Sequence, residues 1–291
     1  MDEFLSEWLR LREAADRAAR ADRLVQRVAG GLVRTEPVRV LDLCTGTGSN
    51  LRYLIGRLPD RQRWLVVDRD PTLLAEVADR LSSWAEARSV SAVTDAAGSH
   101  LRGERLECDV ETQQMNLDTL EASIFEGRHL VTASALLDLV SERWLRVLAA
   151  RCRAVGAAAL FTLTYDGRSS CDPVEPEDDM VRDLMNLHQK TDKGLGGPAA
   201  GPDACVAAER SFVEAGYRVE SAPSDWSLEP DDRAFQRQLI EGWAIAAAEI
   251  APERAPAIAD WLRRRLEHVD TGRSRIVVHH LDMAAWLAPG G

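Results

Sequence analysis

Along residues 38–165, two kinds of segment follow each other in turn, and they differ in the spacing of their apolar residues. Short apolar, β-branched runs are typical of strands buried on both faces. Between them, apolar residues return every three or four positions, as on one face of a helix. Five alternations of this kind predict an α/β fold with a doubly wound, mostly parallel sheet. The predicted strands are Val38–Leu43, Arg63–Asp70, Arg105–Cys108, His129–Ser134 and Ala157–Tyr165.

Further elements are predicted on either side of this run. An amphipathic helix over Phe4–Val28, ended by a pair of glycines, predicts an N-terminal helical cap of residues 1–36. Residues 37–291 form the main domain. Within it, the Gly- and Pro-rich residues 166–203 are interpreted either as a lid segment beside the active face or as a mobile loop. The other predicted elements are strands at Gly216–Ser221 and Arg275–His280 and helices at Met180–Lys190, Ala204–Ala215, Arg233–Ile250 and Glu253–Glu267.

The chain turns tightly between the first strand and the helix that follows it. Gly46 and Gly48 carry no Cβ and allow positive φ, so the backbone can approach a ligand closely. The dinucleotide-binding fingerprint needs a third glycine or alanine, and Leu51 occupies that position. Asp68 ends the second strand, where nucleotide-binding α/β folds accept ribose hydroxyls, whereas Asp70 is suited to cap the next helix. The pattern predicts a nucleotide-type site; its alternative is a strand–turn–helix junction without a ligand.

The pattern Asp42-x-Cys44-x-Gly46-x-Gly48 resembles motif I of the class I S-adenosylmethionine-dependent methyltransferases, with Cys44 in the first glycine position. This resemblance spans about residues 38–287. It implies a Rossmann-like fold of seven strands with an antiparallel last strand, and S-adenosylmethionine as the cofactor with S-adenosylhomocysteine as product. It further implies that an aspartate after strand three and the next backbone amide bind adenine; the alternative is that this aspartate only ends the strand in a turn. It also implies that strand four ends where the methionine part of the cofactor and the acceptor meet. The residues assigned to the cofactor are Asp42, Cys44, Gly46, Gly48, Asn50, Asp68, Arg69, Asp109, Val110, Ala133, Ser134 and Arg12.

No motif identifies a catalytic residue. In methyl transfer from a sulfonium the protein mainly aligns the reacting atoms, and a base helps only for a hydroxyl or a protonated amine. Asp138, among apolar residues after strand four, is a candidate base, with a helix-capping or solvated role as the alternative. Tyr165 is either a core or a substrate-lining residue, and His188 on the lid segment is the candidate imidazole. Arg12 either pairs with the methionine carboxylate or belongs to a surface ion pair.

Composition narrows the classes of function. With 36 basic and 47 acidic residues, the net charge of −11 opposes binding to nucleic acid. No run approaches the roughly 18 apolar residues of a membrane span. The five cysteines lack a C-x-x-C spacing and predict neither disulfides nor a metal site. The acidic N-terminus does not resemble a signal peptide, so a cytoplasmic location is expected.

The combined prediction is a methyltransferase that moves a methyl group from S-adenosylmethionine to an oxygen or nitrogen atom of a small-molecule acceptor by SN2 displacement. A homodimer is left open. The alternatives are that the cofactor-binding fold serves a non-methylating reaction, or that the protein binds without catalysing. RNA methylation would require a basic face or an added RNA-binding module.

Overall fold

One sheet of ten strands, with helices packed against its faces, organises residues 2–288, which the computed structural model describes (side chains from residue 5 onward). The strands are β1 Val38–Leu43, β2 Arg61–Asp68, β3 Ser91–Asp95, β4 Gly98–Arg102, β5 Glu107–Gln114, β6 Leu130–Ser134, β7 Ala158–Asp172, β8 Arg218–Pro223, β9 Trp226–Leu228 and β10 Arg275–Trp286. The helices are α1 Asp2–Ala19, α2 Asp22–Leu32, α3 Ser49–Leu54, α4 Pro71–Glu86, α5 Glu142–Val155, α6 Asp178–Gln189, α7 Ala204–Glu214, α8 Arg233–Ile250 and α9 Ala255–Asp270. Along this described stretch, no helix combines the length and apolar character needed to cross a bilayer.

Seven of the strands form the architecture that the sequence predicts. Their order across the sheet is β5-β2-β1-β6-β7-β10-β8, and neighbours from β5 to β7 pair in parallel. Strand β10 is antiparallel to both β7 and β8. The predicted doubly wound, Rossmann-like methyltransferase fold with a reversed final strand is therefore confirmed.

Three additional strands extend this core beyond the seven that were predicted. Strands β3 and β4 form a hairpin that pairs with β5 at one edge, and β9 pairs with part of β10. Strand β3 has almost no buried side chain, so it lacks the apolar run by which a strand is recognised. This segment is a strand because it pairs with β4 in the folded protein.

Alternate residues of the central strands supply separate apolar clusters. Leu41 and Leu43 of β1 pack in a cluster with α5 and α7, whereas Val38 and Val40 pack in a second one with α2 and α4. A third cluster joins α6, α8 and α9 to the outer halves of β7 and β10, with side chains of α1 packed against it. Burial of a central parallel strand on both faces explains why its sequence is mostly apolar.

The N-terminal helix differs from the prediction. Instead of one helix over Phe4–Val28, α1 and α2 are separated at Arg20 and Ala21. The Ala21 amide donates to Oδ2 of the buried Asp282 at 2.9 Å, so a long-range hydrogen bond replaces a helical one at the break. The glycine pair expected to end the helix, at positions 30 and 31, lies inside α2.

The lid segment is built into the fold. It starts as the outer half of β7, continues as α6 packed against α8, and ends in a loop over residues 191–200, called here the lid loop. The lid loop is attached to the start of α5, because the Ser141 amide donates to the Leu195 carbonyl (3.2 Å) and the Ala200 amide to the Val140 carbonyl (2.8 Å). The division into cap, main domain and lid remains a prediction, and residues 1 and 289–291 lie outside the described residues.

Candidate functional site

A cavity of about 470 Å³ opens at the carboxyl ends of β1, β2 and β6. The strand order reverses between β1 and β6, which is where open α/β sheets bind ligands. Helix α1 and the lid loop form its remaining walls, and the volume is typical of small-molecule sites. A second hollow, of about 680 Å³, lies near Arg57 and Trp84 and contains none of the predicted site residues.

The glycine turn forms the floor of the cavity. Cys44, Gly46 and Gly48 have φ of 51°, 55° and 80°, so the chain reverses through the left-handed region that glycine tolerates best. A Cβ on Gly46 would lie 3.0 Å from Leu9 Cδ1, which shows how closely α1 covers the turn. Cys44 lines the cavity, and burial raises the pKa of its thiol to about 12, so the thiol stays protonated.

Asp42 supports this turn from beneath instead of lining the cavity. Its buried carboxylate accepts hydrogen bonds from Thr45 Oγ1 and Asn50 Nδ2, both at 2.6 Å. Burial outweighs these two bonds and raises the pKa of Asp42 to about 6. Asn50 does line the cavity, and its Oδ1 accepts from Arg20 NH2 at 2.8 Å. The predicted motif is thus one hydrogen-bonded unit, with Asp42 as its internal support.

Asp68 lies at the carboxyl end of β2 and faces the cavity. Its Oδ2 accepts from the Gly46 amide at 2.8 Å and its Oδ1 from the Asp70 amide at 3.0 Å. A carboxylate has about four lone-pair sites, so acceptor capacity remains for ligand hydroxyls. Asp70 Oδ1 accepts from the Thr72 amide at 2.8 Å, which makes it the N-cap of α4.

The predicted adenine contact at Asp109 and Val110 requires correction. Strand β5 ends at Gln114 instead of Cys108, and Asp109 pairs in register with Arg63, five positions before the end of the strand. Asp109 Oδ1 contacts His100 Nδ1 at 2.9 Å and Arg102 NH2 at 2.8 Å on the β4 hairpin, away from the cavity. The polar second half of β5 hid the strand end from the apolar pattern. The residues after β5 that do line the cavity are Met115 and Leu117.

Arg12 lies at the cavity, as the predicted contact with the methionine carboxylate requires, and it also forms an ion pair. It lines the cavity from α1, donates from Nε to Asp16 Oδ2 at 2.9 Å, and lies 4.9 Å from the centre of the Trp226 ring. Asp16 also accepts from Trp226 Nε1 at 2.9 Å. The side chains of this ion pair are only 11% and 9% exposed, so the pair belongs to the cavity wall and not to the surface.

Two of the candidate catalytic residues lie behind the cavity wall. Asp138 is buried and does not line the cavity, although Leu136 and Leu139 on either side of it do. Burial raises the pKa of Asp138 to about 6. Tyr165 is also buried; its hydroxyl donates to Asn186 Oδ1 at 2.9 Å, and burial raises its pKa. Neither side chain lines the cavity.

The third candidate, His188, reaches the cavity only through Lys193. His188 Nε2 lies 3.0 Å from Glu249 Oε2, and its Nδ1 lies 3.4 Å from Lys193 Nζ. Lys193 lines the cavity. Sequence reasoning did not select this lysine as a site residue, because it lies in a Gly-rich loop whose course depends on contacts with α5.

Taken together, the cavity collects most of the predicted cofactor residues. Those that line it are Arg12, Cys44, Gly46, Asn50, Asp68, Arg69 and Ser134. Asp42, Gly48 and Ala133 are buried and outside the lining. The lining residues that the sequence interpretation missed include Trp8, Asp16, Met115, Leu117, Lys193 and Leu195. Among the side chains from residue 5 to residue 288, no group of three or more His, Cys, Asp or Glu is placed to hold a metal ion.

No model of a known protein family matches the sequence, and no curated protein matches it. Solved structures similar to the chain include a cyclopropane synthase, MmaA2, from Mycobacterium tuberculosis (12% identity, 89% of this chain and 82% of that one, TM-score 0.44). They also include the YcgJ protein from Bacillus subtilis (14%, 90% and 99%, TM-score 0.43) and an O-methyltransferase family protein from Burkholderia thailandensis (17%, 89% and 56%, TM-score 0.38). The predicted resemblance to the class I methyltransferases is confirmed at the level of the fold. The basis for this statement is the strand order of the chain itself.

Proposed function

We propose that the protein binds S-adenosylmethionine in the cavity and transfers its methyl group to an oxygen or nitrogen atom of a small-molecule acceptor. The observation that carries this proposal is the meeting of the Gly46 turn and the Asp68 carboxylate at the carboxyl ends of β1 and β2, inside a cavity of about 470 Å³. A turn that presents main-chain amides, beside a carboxylate with free lone pairs, suits an adenosyl amino acid.

The residues present fit this cofactor along the length of the cavity. Asp68 would accept the ribose hydroxyls, and the apolar Met115 and Leu117 would lie against the adenine ring. Ser134 and the guanidinium of Arg12 would hold the methionine end, Arg12 through the N–H groups that Asp16 does not use. When bound, S-adenosylmethionine supplies the activated methyl group.

The contribution of the chain is to orient the acceptor and to exclude water. Trp8 and Leu9 from α1, and Leu195 from the lid loop, cover the cavity with apolar surface. Alignment in such an enclosed site suffices for displacement at a sulfonium when the acceptor atom already carries a free lone pair. The candidate base Asp138 lies behind the wall, so the proposal assigns it no proton transfer.

Calorimetric titration with S-adenosylhomocysteine tests the proposal. We expect binding to the native protein, and at least a tenfold weaker affinity in Asp68→Asn, because a charge-assisted hydrogen bond to the ribose is lost. The matched control is Asp60→Asn, which removes an exposed carboxylate that pairs with Arg105 outside the cavity and should change affinity less than twofold.

The outcome also separates the alternatives. Absence of binding heat at millimolar S-adenosylhomocysteine would refute the proposed function. Binding without methyl transfer to any acceptor would favour a non-methylating reaction or a non-catalytic binding protein.

A further inference from the structure

Lys193 is held at the edge of the cavity by a loop with a defined course. The lid loop closes on itself, because the Ala199 amide donates to the Thr191 carbonyl at 3.3 Å. A Cβ on Gly196 would lie 2.8 Å from Ser141 Oγ, so the loop is pressed against the start of α5. Lys193 lies between these two attachments, and its side chain is half-buried.

A polar chain behind Lys193 orients its amine. The ammonium group has donors only, so His188 Nδ1, 3.4 Å away, serves as the acceptor. His188 Nε2 then carries the proton and donates to Glu249 Oε2 at 3.0 Å. The direct partner of the amine is therefore an uncharged imidazole nitrogen, and the Glu249 carboxylate behind it acts on the ammonium charge at longer range.

The charges of the cavity lining are otherwise satisfied. Arg12 is paired with Asp16, and Arg69 is exposed to solvent. Asp68 accepts two backbone amides, and Asp70 caps α4. These contacts leave Lys193 as the lining residue whose charge most needs a partner.

Lys193 has no carboxylate within ion-pair distance among the side chains from residue 5 to residue 288. Burial lowers the pKa of Lys193, which reflects the cost of holding the ammonium charge with incomplete solvation. The lining of the cavity also contains apolar side chains, among them Trp8, Leu139 and Leu195. A cation at the edge of such a surface matches a molecule with an apolar body and one anionic end.

We propose that Lys193 binds a carboxylate of the acceptor, so that the acceptor class is a small apolar molecule carrying a carboxylate. This inference rests on the proposed function, because the cofactor would occupy the part of the cavity next to Asp68. The carboxylate anchors the acceptor at the lid loop, while its apolar body lies against Trp8 and Leu195. His188 and Glu249 are positioning residues in this arrangement.

The test compares carboxylates with neutral molecules of the same shape. 3-Phenylpropanoate, octanoate and 2-naphthoate are each titrated by calorimetry against their amides, with and without saturating S-adenosylhomocysteine. The native protein should bind at least one carboxylate about tenfold more tightly than its amide, the ratio expected of one charge-assisted contact. Lys193→Met should abolish this preference.

Lys190→Met is the matched control, because Lys190 is exposed and pairs with Asp203 outside the cavity. It should keep the preference, and the unfolding midpoints of both variants should stay close to that of the native protein. Equal binding of acids and amides, a preference that survives in Lys193→Met, or no binding of any probe at millimolar concentration would each overturn the inference. Binding of S-adenosylhomocysteine is recorded in the same titrations, so failure of the proposed function is seen separately.

Discussion

Replacement of Asp138 by asparagine separates a structural role from a catalytic one. The carboxyl group is buried, one of its oxygens has no hydrogen-bond partner among the described residues, and its pKa is raised to about 6 by burial. Asparagine has the same shape and cannot ionise. The variant therefore removes a buried charge while it leaves the packing of the cavity wall unchanged.

The magnitude follows from the two pKa values. Burial raises the pKa of Asp138 from the ordinary 3.8 to about 6. At about 1.4 kcal/mol per pH unit, this rise means that ionisation of Asp138 costs the native state roughly 3 kcal/mol at most. Between these pH values the folded carboxyl keeps a proton that the unfolded one releases, so this group lowers the free energy of unfolding as the pH rises. The cost is absent below pH 4 and complete above pH 6.

Urea unfolding at pH 4 and at pH 8 measures this effect. Asp138→Asn should differ from the native protein by less than about 1 kcal/mol at pH 4 and should be about 1–3 kcal/mol more stable at pH 8. Its affinity for S-adenosylhomocysteine should be unchanged, because the side chain does not line the cavity. A stability difference that is independent of pH, or one that becomes unfavourable at pH 8, would contradict this account of Asp138.

Two further predictions concern the N-terminal helices. Arg12→Ala should weaken S-adenosylhomocysteine binding at least tenfold, because a charge-assisted contact is lost. The control Arg10→Ala, which removes an exposed partner of Glu7, should leave the affinity unchanged. Equal affinities of the two variants in calorimetry would exclude Arg12 from the cofactor site. Gly30→Ala should raise the free energy of unfolding by about 0.5–1 kcal/mol in urea, because position 30 is exposed, helical, and has no atom within 4 Å of the added Cβ. A loss of stability in that variant would mean that α2 does not continue through the glycine pair.

The central sheet could be predicted because its signal is local. A parallel strand covered on both faces is mostly apolar, and the run from Val38 to Leu43, interrupted only by Arg39 and Asp42, is recognisable for that reason. Edge strands give no such signal, and neither does the polar end of β5. That end explains why the predicted strand stops six residues too early, at Cys108 instead of Gln114.

The helical break at Ala21 is a second feature that the sequence pattern did not predict. Residues on both sides keep helical periodicity, so the sequence favours one continuous helix. The hydrogen bond from the Ala21 amide to Asp282 joins positions far apart in the chain, and no local pattern records it. Contacts of this kind decide where α1 lies and therefore which of its side chains cover the cavity.

The chain by itself determined the alternation of the central strands with helices, the glycine turn after β1 and the acid at the end of β2, because each depends on residues that are neighbours in sequence. Only the tertiary structure decided that Asp138 and Tyr165 face the interior and that Lys193 reaches the cavity. The direction of a side chain depends on packing between segments that are distant in sequence, and the lid loop takes its course from its hydrogen bonds to α5.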